Sequence, residues 1–122
     1  LGTQSWSPDL DNDINRKFVA DYKARHGGYP SYDAAPAYET ILAIDHAIAT
    51  SGSKDTDQMR AVLAKGNIPT TRGLLKMNSN HFPVQNFYLR DPVEDADGVV
   101  TTKVLSTVFA DHADSYAANC KF

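Results

Sequence analysis

The chain has 122 residues, 42% hydrophobic and 22% charged, with a formal net charge of −3, which suits one domain or a piece of one. Lys and Arg are outnumbered by acids and never form a run, so a nucleic-acid surface is not expected. No apolar run approaches the ~20 residues that span a bilayer, so membrane insertion is not expected either.

The opening LGTQSWSPDL reads as the end of a strand running into a Ser-Pro-Asp turn. It is not a basic start followed by an apolar core, and no initiating Met is present, so a mature or trimmed product is expected. In NDINRKFVADYKARHGG, Ile14, Phe18, Val19 and Tyr22 recur at helical spacing, with Arg16, Lys17, Asp21 and Lys23 elsewhere. This predicts an amphipathic helix, capped by Asp11 or Asn12 and stopped at Gly27. Arg25 and His26 fall in its last turn, where positive charge suits the helix dipole.

The stretch PSYDAAPAYETILAIDHAIATSG predicts a second helix with Asp33 as N-cap. Pro36 then falls in the first turn, where a missing N–H costs no helical bond. Ala34, Ala35, Ala37, Tyr38, Ile41, Leu42, Ile44, Ala47 and Ile48 make more than one face apolar, and Glu39, His46 and Thr50 form a narrow polar stripe. Such a helix must be covered on most sides. Asp55 with Gln58 gives a capping-box-like start to DTDQMRAVLAKG, which ends at Gly66. RGLLKMN, QNFYLRDPV and GVVTTKVLSTVFA are strand candidates, with turns at 78–80 and 95–98, and the tail DHADSYAANCKF is a short helix or a loop.

The order strand, three helices, strands lacks the repeated strand–helix units that would cover a buried helix on both sides. The expectation is an α/β chain that is the C-terminal part of a larger protein. An enzyme is not expected. His26, His46, His81 and His112 fall in separate elements, and Asp111, His112, Asp114 and Cys120 fit no standard zinc spacing. Neither a metal nor a cofactor is therefore expected, and a small hydrolase using His112 is a distant alternative. Gly27-Gly28 ends a helix instead of opening one, the wrong side for holding a phosphate. Cys120, the one cysteine, is either a free thiol or half of a disulfide to a partner outside this stretch.

Taken in order, these motifs resemble a known family. The run FVADYKARHGGYPSYDAAPAYETILAIDHAIATSG, a short helix, then TTRGLLKMNSNHFPVQNFYLRD is similar to the C-terminal portion of type 1 periplasmic binding proteins. These are the Leu/Ile/Val-binding type of ABC-transporter solute receptors. The shared pattern is F-x-x-x-Y-x-x-x-x-G, a Pro, an Ala-rich start to a Tyr-containing helix, a second helix, and an R-G-x-x-x-x-N turn into a strand. The ending NHFPVQNFYLRD…DHADSYAANCKF looks closer to a subgroup linked to aromatic and other organic acids.

The resemblance implies two lobes, each a three-layer α/β sandwich, that close on a ligand. Residues 1–28 would belong to the second lobe, 29–78 to the first, and 79–122 would cross back and form the tail. It implies a periplasmic, non-enzymatic receptor that passes a small carboxylate-bearing solute to ABC permease subunits. The missing cover for the apolar helix would be the N-terminal remainder of the same protein or another copy of the chain. A sensing domain of the same fold is the alternative. In the family the loop before the Tyr-containing helix faces the cleft, here Tyr29 to Ala34. Asp33 stands where the amino-acid receptors place an aromatic ligand contact, so it is either a ligand acceptor or simply the N-cap. The N–H groups of Ala34 and Ala35 are candidates for a ligand carboxylate, Tyr32 for an aromatic wall, and Trp6 for either cleft lining or core packing.

Overall fold

A computed structural model describes residues 1–120, so the last two residues of the 79–122 segment lie outside the described residues. The elements run β1 (Gly2–Gln4), α1 (Asp13–His26), α2 (Ala34–Ser51), α3 (Thr56–Ala64), β2 (Ile68–Thr70), β3 (Gly73–Met77), β4 (Pro83–Glu94) and β5 (Val100–His112). A single 3-10 turn, Ala117–Asn119, follows. All strand pairings are antiparallel, and β4 is the spine. Tyr88–Arg90 pair with β1 on one edge and with β5 on the other, whereas β3 meets only Pro83 and Val84. The β4–β5 ladder slips its register between Gln85 and Phe87, between Phe87 and Tyr88, and between Leu89 and Arg90.

Local chemistry sets the helix ends. Asn12 caps α1 by accepting the Asn15 N–H at 2.9 Å, and Gly27, at φ 73°, closes it with a left-handed residue. Asp55 likewise accepts the Gln58 N–H to start α3. The start of α2 departs from expectation. Asp33 occupies the N-cap position, but it has helical backbone angles and its side chain makes no capping bond. The Ala34 N–H is taken instead by Ser31, through its carbonyl at 3.2 Å and its hydroxyl at 3.3 Å. A β-turn-like approach places Ser31 within reach, and an Asp33 already in the α region turns its carboxylate away from the N–H groups it would cap.

The core joins the first two helices. Trp6, Phe18, Val19 and Ala35 are buried together, and Phe18 stacks on Tyr38 with ring centroids 4.7 Å apart. Beneath them Asn15, fully buried, accepts the Trp6 indole N–H at 2.8 Å and donates to the carbonyls of Ser7, Pro8 and Leu10. One amide side chain thus folds the Ser-Pro-Asp turn around the first turn of α1.

Burial along α2 departs from its stripe at Glu39, Ile41 and Ile44. Glu39 is buried, and its carboxylate accepts two bonds from Arg72 Nε at 3.1 Å and one from the Thr71 hydroxyl. Arg72 also donates to Gln85 of β4, so the network pins α2 to β4 by way of the β2–β3 turn. Meanwhile Ile41 is 65% exposed, and Ile44 and Leu74 of β3 are exposed with it. Part of the apolar side of the helix is therefore open, while Ala35 and Ala47 are buried.

Asp95 ties α1 to the β4–β5 turn. One carboxylate oxygen accepts the N–H groups of Asp97 and Val99; the other accepts Lys23 Nζ and the Tyr29 hydroxyl, both at 2.9 Å. The Lys23 bond, with the Val99 N–H behind it, holds the Asp95 carboxyl well below the ordinary carboxylate range. A folded-state value below the unfolded one means that the stabilisation is complete above about pH 4 and is lost as pH falls below it. Thermal midpoints measured across the acid range should therefore fall less steeply for Asp95→Asn than for wild type, starting from a lower value at neutral pH. Parallel curves would refute this role.

Candidate functional site

Two of the residues singled out from sequence meet at one cavity. It encloses about 290 Å³ and is lined chiefly by Trp6, Tyr29, Tyr32, Arg90, Thr101 and Thr102. Trp6 contributes only an edge, being 2% exposed and packed in the core, so it serves both the core and the cavity wall. Tyr32 is 40% exposed and brings a ring to the mouth. Asp33 and Ala34 do not line the cavity; they sit at the helix start beside it, and the Ala34 N–H is already committed to Ser31.

Sequence reasoning passed over Arg90, the only charged residue in this wall. Its Nη1 donates to the Trp6 carbonyl at 3.0 Å and to the Thr102 hydroxyl at 3.3 Å, which fixes the guanidinium between β1, β4 and β5. Burial pushes its pKa down, while Tyr32 and Asp9 pull the other way. The guanidinium nonetheless stays cationic at neutral pH, as arginine does in proteins. Arg90 Nε and the Thr101 hydroxyl are buried without a hydrogen-bond partner. Both belong to the lining of this cavity.

A second hollow of about 440 Å³ shares Pro8, Tyr29, Thr101 and Thr102 and runs along α1 to Arg16 and Lys23. Two of its three cations are already occupied, Arg16 by Asp11 and Asp13 and Lys23 by Asp95, while Lys103 has no ion pair among the described residues.

The other sequence candidates stay apart. Asp111 pairs with Lys76, Asp114 accepts from Asn80, and His112 packs against the rings of Phe87 and Phe109. Cys120 is exposed and unpaired. Among the described residues no group of three or more His, Cys, Asp or Glu is placed to hold a metal, and no helix is long and apolar enough to cross a membrane.

Comparison with known proteins gives this geometry a setting. A family model described as periplasmic binding protein matches residues 1–97. A solute-binding protein of an ABC transporter from R. palustris, solved with benzoate, is 27% identical with a TM-score of 0.80, covering 98% of this chain and 32% of that one. One from Rhodopseudomonas palustris BisB5, solved with 3,4-dihydroxybenzoic acid, is 26% identical with a TM-score of 0.77, covering 93% of this chain and 31% of that one. A leucine-binding protein from Thermotoga maritima is 22% identical with a TM-score of 0.68, covering 84% and 29%, a likeness of fold alone. The chain spans about a third of the length of these structures, all of them transport proteins. No curated protein matches it.

Proposed function

Because the chain belongs to the periplasmic binding protein family, we propose that it is the C-terminal part of a two-lobed receptor in the periplasm. The receptor captures a small carboxylate-bearing solute, an amino acid or an aromatic or other organic acid, and delivers it to ABC permease subunits. The observation that carries this reading is the match, over 98% of the chain, to a solute-binding protein holding benzoate.

In this reading residues 1–28 serve the second lobe, residues 29–78 the first, and β4 and β5 cross back. The N-terminal remainder of the same protein covers Ile41 and Ile44, since an open apolar helix face on a secreted receptor would otherwise invite association. Tyr32 and Trp6 form the aromatic wall, with Asp33 and Ala34 at the rim where the opposing lobe closes. Calorimetry on the intact receptor tests this with benzoate, 3,4-dihydroxybenzoate and leucine. Saturable one-to-one binding of at least one is the expected result, and no heat from any of the three would refute the receptor reading.

A further inference from the structure

We infer that Arg90 is the carboxylate-holding residue of the 290 Å³ cavity, and that the cavity takes an aromatic carboxylate with no ammonium group. The inference rests on the receptor reading above and narrows its solute.

Three observations converge on it. Arg90 has no ion pair among the described residues, a state it shares with Arg25, Lys54, Lys65 and Lys103, but of these only Arg90 lines this cavity. The hydrogen-bond partners of Arg90 are both neutral, and Asp9 acts on it electrostatically without forming an ion pair, so a bidentate carboxylate is its best complement. Two of the lining residues, Arg90 and Thr101, each carry a buried polar atom with no hydrogen-bond partner, Nε and the hydroxyl. Finally, no Asp or Glu lines the cavity, while Trp6, Tyr29 and Tyr32 do. A zwitterionic amino acid would bring an ammonium to a wall that already carries a cation and has no carboxylate to receive it. A flat ring bearing one carboxylate meets both the charge and the aromatic faces.

The guanidinium is also held before any solute arrives, because the Trp6 carbonyl and the Thr102 hydroxyl fix one of its nitrogens. Ordering of that side chain is then not part of the binding cost.

The test is calorimetry of the intact receptor with benzoate, its neutral isostere benzamide, and leucine, on wild type, Arg90→Gln and Thr101→Val. Wild type is expected to bind benzoate at least tenfold more tightly than benzamide or leucine. Arg90→Gln should weaken benzoate at least tenfold, leave benzamide unchanged, and so erase the discrimination. If Arg90→Gln does not fold, Thr101→Val decides: it removes a hydroxyl with no partner, so the thermal midpoint should hold while benzoate weakens several-fold. Unchanged benzoate affinity in the folded variants, or leucine bound more tightly than benzoate by wild type, overturns the assignment and leaves the receptor reading intact. Silence from wild type toward all three probes and toward 3,4-dihydroxybenzoate overturns both.

Discussion

Glu39→Ala is expected to destabilise the protein by about 3–5 kcal/mol, because it strands Arg72 in a site prepared for an ion pair. The side chains of Glu39 and Arg72 are 6% and 17% exposed, so water cannot take over the lost contacts. The Thr71 hydroxyl also loses its acceptor. Urea unfolding at neutral pH measures the loss. The double change Glu39→Leu with Arg72→Met should cost less than Glu39→Ala alone, since removing both charges leaves no orphan. A loss below about 1 kcal/mol for the single variant would mean that the pair is solvated in solution.

Asn15→Ala should cost on the order of 3–5 kcal/mol, as an indole N–H and three carbonyls lose their partner inside a dry core. Asn15→Asp separates the two halves of that role. It keeps an acceptor for the Trp6 N–H but sets a carboxylate against three carbonyl oxygens, so it should be at least as damaging as the alanine. Tryptophan fluorescence gives a second readout, because Trp6 is the sole tryptophan and its indole N–H donates to Asn15. Near-neutral stability for Asn15→Asp would show that the amide is not the organiser of this turn.

Much of the framework is legible because its signals are local. Asn12, Gly27 and Asp55 act within a few residues of where they stand, and the strand runs of β3, β4 and β5 carry their own turns. β2 escapes notice because Ile68-Pro69-Thr70 is too short for alternation to register, and proline argues against a strand. Glu39 misleads for another reason. A glutamate in a polar stripe reads as solvent-facing until a partner 33 residues away is placed beside it. Asn15 is hidden in the same way, since a buried amide on an otherwise apolar face has no periodic signature. Asp33 was read from position alone, and backbone angles that the sequence does not reveal decide whether its carboxylate can cap.

At the cavity, Tyr32 and Trp6 were found through the family pattern, whereas Arg90 was not. A lone arginine in FYLRDPV looks like the wet side of a strand. β4 carries no other cation, but Asp91 beside it makes the pair look like an ordinary exposed charge cluster.

Gln85 and Arg90 share β4, five residues and roughly 17 Å apart along one strand. The first grips the Glu39–Arg72 pair beneath α2, and the second grips the cavity wall. No loop intervenes between these two anchorages. All three slips in the β4–β5 ladder fall within this span, so the stretch that joins the long helix to the guanidinium is also where the sheet pairing is least regular.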